Sequence, residues 1–100
     1  LTNIGLAIDR EPDILPKIKE IVLMGGARKE TGDITPSAEF NIYVDPEAAK
    51  LVLQCGRPIV MMSLDVTHQV LTTQKRVDTI RNLDSSIGKG IAALIEFYER

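Results

Sequence analysis

The sequence predicts an α/β fold with a parallel βαβ unit at its centre. Two apolar runs and the segment between them carry the prediction. EIVLMGG (20–26) is a continuous apolar run bounded by a charge and two glycines. It is short and β-branched at its start, as suits a strand buried on both faces. RPIVMMSLD (57–65) is a second run of the same kind, in which Pro58 opens a strand over 59–64. Between them, DPEAAKLVLQCG (45–56) has a full set of helix signals. Asp45 is a good N-cap, Pro46 suits the first helical position, Glu47 favours the positive end, and Gly56 closes the segment. Ala48, Leu51, Val52 and Cys55 share one face. Strand, helix and strand at this spacing make a parallel pair with a right-handed crossover.

The flanking elements follow in order. Residues 2–9 predict a short helix. Pro12 and Pro16 punctuate the next stretch, where Asp13 or a neighbour starts a short helix running to about residue 19. Residues 27–44 show no strong periodicity. Beyond the second strand the pattern is helical. TTQKRVDTIRNL (72–83) puts Val77, Ile80 and Leu83 on one face, and DSSIGKGIAALIEFYER (84–100) puts Ile87, Ile91, Leu94, Ile95 and Tyr98 on another. Gly88 and Gly90 weaken that last helix by up to about 1 kcal/mol each relative to Ala. There is no internal repeat and no low-complexity segment.

A chain of 100 residues supports one small domain with a modest core, not two. Apolar residues at 44% and charged residues at 26% are those of an ordinary soluble globular protein. The net charge of −2 comes from both signs spread along the chain, which argues against a nucleic-acid surface. No apolar run approaches the length of a membrane span. Cys55, the only cysteine, excludes an internal disulfide framework and leans towards a reducing compartment such as the cytoplasm. One His and one Cys argue against a zinc site built from this chain alone. LTNIGLAI begins abruptly and IEFYER stops on a helix pattern, so we expect residues 1–100 to be a single partial domain of a longer chain.

A ligand of an open parallel sheet binds beyond the carboxyl ends of its strands. The stretch 25–44 leaves such an end, and loops of this length without their own structure are usually functional or disordered. Its apolar residues (Ile34, Ala38, Phe40, Ile42, Tyr43, Val44) make it more than a solvated linker. In an extended segment Glu39 and Asn41 point to one face and Phe40 to the other. Phe40 then anchors the loop while the acid and the amide meet a ligand. A carboxylate only accepts hydrogen bonds and an amide both donates and accepts, so the pair suits a polyhydroxylated ligand such as a sugar. The alternative is that both residues bond the loop's own backbone. Elsewhere, MGG (24–26) lacks the phosphate-loop patterns, and His68 is read as a hydrogen-bonded structural residue. Asp65 and Thr67 are candidate caps of the next helix, and Cys55, Met61 and Met62 are candidate core residues.

LTNIGLAI, EIVLMGGARKETGDITPSAEFNIYVDPEAA and PIVMMSLDVTHQ, in that order, resemble the central part of the inosine–uridine-preferring nucleoside hydrolases. The resemblance is close over roughly residues 1–75 and extends over the last quarter. It implies a Rossmann-like, mostly parallel sheet with flanking helices, of which this chain holds a βαβ-containing part followed by helices. It implies hydrolysis of the N-glycosidic bond of ribonucleosides to ribose and free base, with bound Ca2+, a role in purine or pyrimidine salvage, and a homo-oligomer (dimer or tetramer). Residue by residue, Thr2 matches a threonine whose backbone carbonyl ligates calcium. Met24 matches a methionine lining the ribose pocket, and Glu39 and Asn41 match residues that bind ribose hydroxyls. Asp33 falls where many relatives carry a sugar-contacting asparagine, and the departure removes an amide donor and adds a negative charge beside Glu39. The family's N-terminal aspartate cluster and its downstream His–Asp pair are not in this sequence, so no catalytic residue is assigned here and no activity is expected of the chain alone. The competing readings are a non-catalytic sugar- or nucleoside-binding relative and an inert structural fragment.

Overall fold

The computed structural model describes residues 1–98. It is an α/β arrangement that divides into two compact units, residues 1–69 and the described residues from 70 onwards. The first unit opens with helix α1 (Thr2–Arg10) and a 3-10 turn (Pro12–Lys17) carrying both early prolines. Strand β1 (Ile21–Met24) follows, then a long loop, the short helix α2 (Phe40–Tyr43) and helix α3 (Pro46–Leu53). Strand β2 (Ile59–Met62) and the short helix α4 (Leu64–Thr67) complete the unit.

β1 and β2 pair in parallel, with Ile21 opposite Ile59 and Met24 opposite Met62. The predicted βαβ unit is therefore present, with α3 between its strands. α3 starts where its signals place it: the Asp45 side chain accepts the Ala48 N–H and Pro46 occupies the first turn. The core gathers Ile8 of α1, Leu23 of β1 and Val52 of α3, and Leu1, Ile14, Leu15, Ile21, Cys55 and Ile59 pack around it. Val52 is fully buried, which is worth about 1.5–3 kcal/mol. Cys55 belongs to this core, as its helix face predicts.

The strands are less covered than their sequences predict. Val22 is 60% exposed, and Met61 and Met62 are exposed as well. Two strands present two faces and two edges, and the helices of this chain cover only part of that surface.

The second unit holds α5 (Gln74–Arg81) and α6 (Ser86–Tyr98), which pack on one another. Thr73 caps α5 by accepting the Arg76 N–H, and Arg81 pairs with Glu96 across the two helices. The expected stripe on α6 is not the face that packs. Ile87, Leu94 and Tyr98 are exposed, whereas Gly88 and Ala92 are buried. A Cβ at Gly88 would sit 2.6 Å from the Ile80 carbonyl oxygen and 3.1 Å from Leu83 Cβ. Small residues let the two helices approach closely, so Gly88 marks a contact rather than a weak point. The end of the predicted helix, residues 99–100, lies outside the described residues.

Candidate functional site

The loop after β1 is built from its own polar side chains. Asp33 Oδ1 accepts the N–H of Ile34 at 2.6 Å and of Phe40 at 2.7 Å, which ties the two ends of the turn together. Thr35 Oγ1 accepts the Ala38 N–H at 2.9 Å. The chain then enters α2 rather than staying extended. Glu39 is its N-cap, and its side chain accepts the Asn41 N–H. This corrects the expected alternation at Glu39, Phe40 and Asn41. Four residues are too few for a helical period to show, and the N-cap acid is what starts the turn. Phe40 is half exposed and does not anchor the loop.

The turn brings the two polar residues back to the end of β1 nonetheless. Glu39 is 3% exposed, the one buried polar or charged residue among the described residues. Its Oε2 accepts the Gly26 N–H and its Oε1 the Asn41 N–H, both at 2.8 Å. Gly26 has φ +74°, a conformation glycine adopts without steric cost, and this aims its N–H at the carboxylate. Asn41 Nδ2 lies 3.0 Å from Met24 Sδ and donates to the Met24 carbonyl at 3.4 Å. Met24, Glu39 and Asn41 therefore meet at the carboxyl end of the parallel pair, where an α/β sheet presents its ligand site. Asp33 is tied to this group through the Phe40 amide. Glu39 keeps spare acceptor capacity, since a carboxylate offers about four lone-pair sites. A cleft of about 390 Å³ flanks it, lined by Gly26, Ala27, Ser37, Ala38, Glu39, Ile42, Tyr43 and Pro46; Met24 and Asn41 are not in its lining.

Thr2 stands apart, at the start of α1. Its hydroxyl donates to Asp45 Oδ2 at 2.7 Å. That bond, then the Ala48 N–H, lowers the Asp45 carboxyl below its ordinary value. Calcium takes about six to eight oxygen ligands. Thr2 would give one carbonyl, and the described residues contain no group of three or more His, Cys, Asp or Glu side chains placed to hold a metal. This segment does not fit calcium by itself.

Asp65 has a role that the helix-cap reading missed. Its carboxylate lies on the loop after β1, accepting N–H groups from Arg28, Lys29 and Glu30. Those amides, Arg28 first, and the Ser63 hydroxyl hold its carboxyl well below the usual carboxylate range. The available signal was position, one acid directly past a strand end. His68 Nδ1 meets Glu30 Oε2 at 3.1 Å, both half exposed, in keeping with a structural histidine.

The family model described as inosine-uridine preferring nucleoside hydrolase matches residues 1–100. An uncharacterized protein of Schizosaccharomyces pombe is 53% identical over 93 residues, covering 93% of this chain and 30% of its own length. The pyrimidine-specific ribonucleoside hydrolase RihB of Escherichia coli is 47% identical over 97 residues, 97% of this chain and 31% of that protein. Among solved structures, a plant nucleoside hydrolase, the PpNRh1 enzyme, matches with a TM-score of 0.85 at 38% identity, over 97% of this chain and 30% of its own. The chain thus spans less than a third of the length of these relatives.

Proposed function

The chain belongs to the inosine-uridine preferring nucleoside hydrolase family, and we propose that it is the ribose-binding segment of a calcium-dependent ribonucleoside hydrolase. On this reading residues 1–100 are one partial domain, and the longer protein cleaves the N-glycosidic bond to give ribose and free base. The observation that carries it is the meeting of Met24, Glu39 and Asn41 at the carboxyl end of β1. Glu39 and Asn41 accept from and donate to the ribose hydroxyls, and Met24 packs on the sugar. Asp33, tied to this group through the Phe40 amide, tunes which sugar is accepted.

The chemistry suits the arrangement. Cleaving a glycosidic bond builds positive charge on the ribose ring. A carboxylate already fixed by two backbone N–H groups meets that charge without reorganising, and favours the transition state over the neutral ground state. Calcium would supply a polarised water, with the Thr2 carbonyl as one ligand and the others from outside this segment. Cytoplasmic location and a homo-oligomer complete the proposal.

Ribose release from purine and pyrimidine ribonucleosides by the full-length protein tests it. Release that needs calcium, and that falls at least about tenfold in kcat/KM in Glu39→Gln, is expected. Sugar binding without any release would favour the non-catalytic relative instead.

A further inference from the structure

We propose that Asp65 is a positioning residue for Glu39, acting through the backbone of the loop that leaves β1. The proposal deepens the ribose-binding reading and rests on it. Asp65 lies in the first turn of α4, just past the end of β2. Its carboxylate does not cap that helix. Oδ2 accepts the Arg28 N–H at 2.8 Å, and Oδ1 accepts those of Lys29 at 2.8 Å and Glu30 at 3.2 Å. The Ser63 hydroxyl donates to Oδ2 at 3.0 Å. Three successive amides turned towards one anion form a concave nest, filled here by a side chain of the same chain.

The path from this nest to Glu39 is short. Only Ala27 separates Arg28 from Gly26, whose N–H donates to Glu39 Oε2 at 2.8 Å. The Gly26 carbonyl accepts the Leu64 N–H at 2.9 Å. A glycine peptide turns easily, so its direction is set by what holds either side. Leu64 holds the carbonyl, and its neighbour Asp65 holds the three amides beyond. Adjacent residues of the β2–α4 corner therefore fix the backbone directly after Gly26, and with it one side of the Gly26 torsions that aim its N–H at Glu39. Loss of the Asp65 contacts frees the 27–30 backbone, lets the Gly26 N–H swing, and leaves Glu39 with one amide in place of two.

A double-mutant cycle in the full-length protein tests this. Asp65→Asn keeps the side-chain shape but replaces one accepting oxygen with a donor. We expect it to lower kcat/KM roughly tenfold alone, as loss of a charge-assisted hydrogen bond does, and less than about twofold in a Glu39→Gln background. Equal losses in both backgrounds, or no loss in either, overturn the proposal. Amide hydrogen exchange reads the same link without activity. Gly26 and Asn41, both donors to Glu39, should exchange faster in Asp65→Asn together with residues 28–30. Faster exchange confined to 28–30 overturns it. Ser63→Ala removes only the hydroxyl donor; it should shift the same amides by less, and it decides the question if Asp65→Asn does not fold. A wild-type protein that hydrolyses no ribonucleoside sinks the hydrolase reading instead, and the exchange result still decides Asp65.

Discussion

Glu39 is a buried acidic residue, which proteins keep only when hydrogen bonds replace lost water. Its two oxygens each hold a backbone N–H, so the loop-bonding alternative is true of Glu39, with acceptor capacity left over for the proposed ligand. Glu39→Gln puts a donor against one of those amides. It should destabilise the fold by about 1–3 kcal/mol, measured as a lowered midpoint in denaturant, besides its effect on catalysis. Asp33 behaves differently. Both of its recorded bonds use Oδ1, and an asparagine oxygen can make the same two. Asp33→Asn should therefore stay within about 0.5 kcal/mol of wild type, while changing ribose affinity in a titration. Asp65 and Asp45 carry depressed carboxyl values, from an ordinary 3.8. Groups of that kind contribute stability above the unfolded value and lose it as pH falls through the folded one. Wild type should therefore lose its stability advantage over Asp65→Asn as pH drops below about 4, followed by thermal melts at stepped pH. The candidate residues themselves were legible from the resemblance. The backbone partners of Glu39 and Asp33 were not, because they depend on where a glycine and a turn aim their N–H groups.

Among the elements, α3 and the two strands could be placed from sequence because capping residues and bounded apolar runs are local signals. α2 could not, since FNIY is shorter than two turns and its start depends on the Glu39 side chain. α6 was legible as a helix but not in its orientation. A stripe of large apolar residues states a need for burial without naming what meets it, whereas close helix packing follows the small residues. The resulting prediction runs against helix propensity. Gly88→Ala gains up to about 1 kcal/mol of propensity but places a Cβ 2.6 Å from the Ile80 carbonyl. Overpacking of that sort costs about 1–3 kcal/mol, and the contact is with backbone, which yields least. We expect a net loss of stability in thermal melts, and Gly90→Ala, with nothing within 4 Å of its added Cβ, to be neutral or stabilising.

At the scale of the molecule, a core clustered on Ile8, Leu23 and Val52 supports a parallel pair whose faces remain partly open, with Val22, Val60, Met61 and Met62 all exposed. Large apolar side chains exposed on both faces of a strand pair are ordinarily covered. The 100-residue chain prepared alone should bind a dye that fluoresces on apolar surface, and the longer protein should bind far less; equal binding would mean that the strands are not covered in the larger protein. The fold class was legible because strand, helix and strand alternate with clean boundaries. The extent of burial was not, because it depends on neighbours that a run of apolar residues does not specify. The most direct test of the central claim is ribose release from a ribonucleoside by the full-length protein, before and after removal of calcium. Release should stop on chelation and return when calcium is restored. Release indifferent to chelation, or none under either condition, would contradict the claim.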